Sequence, residues 1–145
     1  MASEAAGADE GRTLRASGGC LCGAVRYQVW GPLRDSIACH CSQCRKTSGH
    51  YWSATRAATA DLELTEQSGL AWFQSSAAAR RGFCRTCGSS LFWQPTSGNT
   101  TSIGTGSLDA PTGLRTACHI FTADKSDYFD IEPGVPQWPG DTPAA

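Results

Sequence analysis

The stretch FCRTCGSSLF, residues 83–92, sets Cys84 and Cys87 three positions apart and follows them with Gly88. That spacing is the shape of a zinc knuckle: a tight turn aims two thiolates at one point, backbone N–H groups can reach the sulfurs, and the glycine allows the positive φ or close backbone approach that the turn needs. A knuckle supplies only half of a tetrahedral site. The cleanest second half is Cys20 and Cys22 in GGCLCGAVRY, residues 18–27. Joining the two pairs closes a loop of about sixty residues at a cost of several times RT. Structural zinc in small peptides is worth about 10–16 kcal/mol, so the metal more than offsets that closure. A site closed by four thiolates, Cys20, Cys22, Cys84 and Cys87, is structural and has no position for a substrate.

The second cysteine-rich stretch, CHCSQCRKTSGH at residues 39–50, puts Cys39, Cys41 and Cys44 on one loop. Three thiolates with no obvious fourth ligand give the arrangement of a catalytic zinc, three protein donors and an open position. Such a site carries a formal charge of −1. It is poorly suited to making hydroxide and well suited to binding an added thiol, which would lose its proton at the metal. Arg45 and Lys46 follow directly and can offset the negative charge. Other readings stand beside this one: a second structural site completed by His40, His50 or Cys118, an iron–sulfur cluster, or paired disulfides. His50 is a candidate substrate or metal contact. Cys118 reads as a small core residue, and His119 as a hydrogen-bonded structural histidine or a base.

The 145-residue length fits one domain, and 40% apolar residues suit a globule. The net charge of −1 argues against a nucleic-acid module working through a basic face. No apolar run is long enough to span a membrane, and the first residues lack the apolar core of a secretory signal. With eight cysteines and no export signal, a reducing cytoplasm and metal-bound thiolates are the expectation. Short β-rich runs broken by Gly, Pro, Ser and Asp indicate a mostly β domain. Strands are expected at 24–30, with Val25, Tyr27 and Val29 on one face, and at 36–39, 51–56, 61–66, 70–75, 79–84, 90–94, 100–108 and 115–122. A short final element is expected at 126–131. The only helix candidate is the alanine run Ala77 to Ala79. Trp52, Phe73 and Trp93 are expected in the core, one of them lining a pocket. Residues 1–17 read as a flexible tail, 18–131 as the domain, and 132–145 as an irregular tail.

In order and spacing, GGCLCGAVRY, CHCSQCRKTSG, RGFCRTCGSSLFW and CHIFTADKSDYFDI resemble the glutathione-dependent formaldehyde-activating (GFA) enzyme family, which includes the domain of centromere protein V. The resemblance covers residues 18 to 131. It implies an Mss-four-like fold, a zinc-held domain of irregular β-sheets. It implies a structural zinc on Cys20, Cys22, Cys84 and Cys87 and a catalytic zinc on Cys39, Cys41 and Cys44. The implied activity is a carbon–sulfur lyase reaction that condenses glutathione with formaldehyde. His50 stands where family members often carry a small residue, which bears on substrate size. The rivals are a non-enzymatic zinc-held binding module and a related zinc enzyme acting on an imine or a larger aldehyde.

Overall fold

The structure, a computed structural model, describes residues 12–143. Residues 1–11 of the expected N-terminal tail and the last two of the C-terminal one lie outside the described residues. Two antiparallel-rich sheets carry the chain. The smaller has the order β1–β2–β5, from Ala16–Gly19 (β1), Arg26–Val29 (β2) and Leu62–Glu66 (β5). The larger has seven strands: Ser36–Cys39 (β3), Trp52–Ala58 (β4), Leu70–Gln74 (β6), Ala79–Cys84 (β7), Ser90–Pro95 (β8), Thr100–Gly104 (β9) and Thr116–Ile120 (β10), in the order β10–β3–β4–β9–β8–β7–β6. Among the described strands, β10 and β3 are the one pair that runs parallel. The domain is mostly β, as expected, in the irregular-sheet Mss-four-like manner. The expected boundary after residue 17 falls within β1. No helix among the described residues is long and apolar enough to cross a membrane.

The two faces of the large sheet have different work, and strand alternation decides which residue goes where. Thr55 pairs with Ile103, and Ile103 with Phe92, so these side chains share the face turned toward the small sheet. Val25, Tyr27 and Val29 meet them there, at most 1% exposed, as their alternation in the sequence requires. Tyr27 packs edge-to-face on Phe92 at 5.5 Å, and its hydroxyl meets Ser107 Oγ at 2.6 Å. Burying each such side chain is worth about 1.5–3 kcal/mol. Cys20 and Cys84 belong to this core. On the opposite face, Cys39 pairs with Trp52, and Arg81 with both Trp93 and Phe73. Trp52 and Ala54 are buried there around Cys44, with Cys39, Cys41 and Trp93 packed against them.

Three local expectations are corrected. The α-helix is not the alanine run but Ser42–Ser48 (α1), inside the cysteine loop. The sulfur of Cys41 caps it by accepting from Cys44 N–H, and Gly49 ends it at φ 86° with its N–H on Arg45 C=O. Ala77 and Ala78 instead form the bend between β6 and β7, and Ala79 opens β7. Their carbonyls are taken by Thr96, so three alanines have no run of partners with which to nucleate a helix. Residues 126–131 form turns, not a regular element. Lys125 Nζ gathers the carbonyls of Ser126 and Phe129 at 2.8 and 2.6 Å, which curls this segment. Phe73, expected in the core, is 59% exposed, because β6 is the edge strand and Phe73 stands on the face opposite the main core.

Candidate metal centres and active site

The sulfurs of Cys20, Cys22, Cys84 and Cys87 lie within 4.8 Å of one another, contributed by the β1–β2 loop and the turn after β7. Cys20 Sγ is 3.7 Å from Cys22 Sγ, which is 3.7 Å from Cys84 Sγ. A tetrahedron with bonds of about 2.3 Å to zinc has S···S edges of about 3.8 Å, so this set fits a zinc ion. All eight cysteines are free thiols. The expected knuckle hydrogen bonds are present: Val25 N–H donates to Cys20 Sγ at 3.2 Å and Cys87 N–H to Cys84 Sγ at 3.4 Å. Gly88 holds φ 84° while its N–H bonds Cys84 C=O at 2.7 Å. The Ser89 hydroxyl, then the Ser89 backbone, holds the Cys87 thiol down at about 5. The two halves are brought together by Gly69, whose N–H bonds Ala24 C=O and whose C=O accepts from Arg85 N–H.

Cys39, Cys41 and Cys44 also lie within 4.8 Å of one another, and no fourth His, Cys, Asp or Glu among the described residues joins them. β3 delivers Cys39, and α1 begins on Cys41 and buries Cys44. Three crowded sulfurs cannot all ionise by themselves. Hydrogen bonds from Cys39 and Cys44 hold Cys41 far below the ordinary thiol range, while the Cys41 and Cys44 sulfurs push Cys39 far up. A soft divalent cation would take the place of the missing protons, and an all-thiol donor set suits zinc rather than a hard cation. A second positive charge is already in place: Arg81 Nη2 lies 3.5 Å from Cys44 Sγ, and Arg81 is only 8% exposed.

The candidates for a fourth ligand are engaged elsewhere. His40 is buried, its Nε2 meets His119 Nδ1 at 2.8 Å, and burial, then the neighbouring His119, holds it down at about 4. His119 Nε2 continues the chain to Glu132 at 3.2 Å. The His50 ring bonds the Tyr128 hydroxyl and packs on Phe129. Cys118 is buried outside both thiol groups.

Two cavities, each of about 300 Å³, open beside the triplet and share Thr47, Phe73 and Arg81. One continues between Trp52 and Phe83 and is mostly apolar. The other continues among Ser42, Gln43, Lys46 and Ser75, which adds a second cation to a lining that is also mostly apolar. Of the residues singled out from the sequence, Lys46 lines this second cavity; Arg45 and His50 line neither. Arg45 Nε is buried without a hydrogen-bond partner. Arg81 and Thr47 were not singled out. Arg81 could have been found from strand alternation, since it and Phe83 flank Gly82 on β7, but only the register with Trp93 shows which face it takes.

Three comparisons place the chain among known proteins. A crystal structure of a Rhodobacter sphaeroides protein superposes with a TM-score of 0.57, at 26% identity, covering 84% of this chain and 98% of that one. An uncharacterized lyase of Schizosaccharomyces pombe is 26% identical over 115 residues, 79% of this chain and 83% of the relative. Residues 15–124, which hold both thiol groups, match the family described as glutathione-dependent formaldehyde-activating enzyme, and the chain belongs to that family.

Proposed function

We propose that this protein is a zinc-dependent carbon–sulfur lyase of the GFA type, adding a glutathione-like thiol to formaldehyde or another small aldehyde. The observation that carries the reading is the triplet itself: three convergent sulfurs without a fourth protein donor, next to two cavities. Cys39, Cys41 and Cys44 would hold the working zinc, and Cys20, Cys22, Cys84 and Cys87 the structural one. A zinc ion on three thiolates supplies one thing, a lowered pKa for a thiol that binds beside it.

The protein's own groups do the rest. Lys46 and Arg81 on the second cavity attract the carboxylates of the thiol. Arg81, beside Cys44, offsets negative charge at the triplet. Trp52 and the other aromatic side chains keep water from the carbonyl carbon. The thiol sulfur forms the new C–S bond, the C=O π pair moves to oxygen, and the proton lost by the thiol ends there, giving a hemithioacetal; the reverse is the lyase direction. A cytoplasmic setting keeps the thiols reduced.

Metal content and thiol-dependent turnover test this together. Wild type should bind two zinc ions. Cys44→Ser should lose one ion and the turnover while keeping the fold, and Cys84→Ser should unfold the domain. Normal turnover by Cys44→Ser would refute the assignment. Two bound zinc ions with no thiol-dependent turnover would leave a binding module in its place.

A further inference from the structure

A one-carbon aldehyde is close in size to a water molecule, whose share of liquid volume is about 30 Å³. The apolar cavity beside the triplet holds about 300 Å³, roughly ten times as much. That is the lower end of the range for sites that enclose a small organic ligand, and its surroundings match: apolar and aromatic walls with few polar groups. Trp52 and Phe83 line it, and Phe73, 59% exposed, lines both cavities.

The cavity carries one charged residue on its lining. Arg81 lines it, and the same guanidinium reaches Cys44 Sγ at 3.5 Å. Its Nε is buried and has no hydrogen-bond partner, a donor left over on the residue between cavity and thiols. An aromatic lining with one guanidinium, which also reaches the sulfurs, fits a flat apolar body carrying an oxygen acceptor. A carboxylate-bearing thiol is better matched by the neighbouring cavity, which adds Lys46 and Gln43.

We propose that the cavity formed by Trp52, Phe73, Phe83 and Arg81 is the carbonyl subsite and takes a carbonyl compound bearing an aromatic ring. The chemistry rests on the thiol-addition reading above; the binding does not. Ring stacking on the aromatic walls positions the ligand, and the carbonyl oxygen points toward Arg81.

Zinc-loaded full-length protein is titrated with 4-fluorobenzyl alcohol, which carries the ring but no electrophile, and binding is followed by fluorine NMR. In parallel, glutathione-dependent consumption of benzaldehyde and of formaldehyde is measured. Thr47→Trp fills the cavity from α1, and Phe73→Ala removes an exposed wall that the fold does not need. The expected result is saturable binding, displaced by benzaldehyde and weakened at least about tenfold in Thr47→Trp and severalfold in Phe73→Ala, with kcat/KM for benzaldehyde at least about tenfold above formaldehyde. No binding to wild type, equal binding to both variants, or a preference for formaldehyde overturns the proposal. Turnover of formaldehyde without probe binding removes this inference and keeps the thiol-addition reading. Probe binding lost in both variants, without turnover of any aldehyde, keeps the ring site and removes the reaction.

Discussion

Replacing Arg81 with methionine removes a charge from the triplet while keeping most of the apolar stem, and its effect can be worked from the structure. The guanidinium Nη2 is 3.5 Å from Cys44 Sγ. Unit charges at that distance interact by about 4.7 kcal/mol at an effective dielectric of ~20. This is an upper bound, because the thiolate charge is spread over three sulfurs and a bound cation. A hydrogen bond to a charged group is worth about 1.5–3 kcal/mol. Against it stands the cost of burying Arg81, whose Nε lacks a partner, which the methionine relieves. The net loss should therefore be about 1.4–2.8 kcal/mol, or about 10- to 100-fold in zinc affinity at the triplet. Zinc competition against a chromophoric chelator measures it, with the four-thiolate site as internal control. Arg81→Lys, which keeps a charge but not the planar fork, should fall between. A triplet affinity in Arg81→Met within about twofold of wild type, or an equal loss at both sites, would refute the role given to Arg81.

Two further outcomes test the scaffold. Tyr27 is 1% exposed, and burial pushes its phenol up to about 12 from the usual 10. The folded state therefore holds its proton longer than the unfolded chain. The resulting stability, up to about 2.7 kcal/mol for a two-unit shift, is fully present below pH 10 and lost as pH rises toward 12. Urea midpoints measured from pH 8 upward should fall more steeply for wild type than for Tyr27→Phe, and parallel curves would contradict the burial argument. Gly69→Ala would put a Cβ 2.7 Å from Ala24 Cβ and 2.9 Å from Cys84 Sγ. It should cost about 1–3 kcal/mol and weaken zinc at the four-thiolate site while sparing the triplet, as read by urea unfolding and chelator competition; an unchanged four-thiolate affinity would show that the close approach is not needed.

The thiol pairing was legible in the sequence because cysteine is chemically singular and its spacing encodes a local turn. The strands were legible for a related reason: Val25, Tyr27 and Val29 alternate, and alternation is a two-residue signal. The helix at Ser42–Ser48 was not. Seven residues with only Cys44 buried carry no apolar period, and the cap is the Cys41 sulfur, an atom that composition rules do not count as a cap. The cation beside the triplet was missed for the opposite reason. Arg45 and Lys46 are neighbours in sequence, whereas Arg81 reaches Cys44 only through the β7–β8 and β8–β9 registers. Long-range register also exposes Phe73, since nothing in LAWFQS marks β6 as an edge strand.

Because Cys20 and Cys84 lie with the main core and the triplet on the reverse face of one sheet, the two thiol groups answer to different neighbours. Thr47 and Phe73 line the cavities beside the triplet and stand outside that core, whereas Gly88 serves both a cavity and the knuckle turn. Exchange at the first two positions can therefore reshape the triplet's surroundings, while the third is tied to the four-thiol clasp.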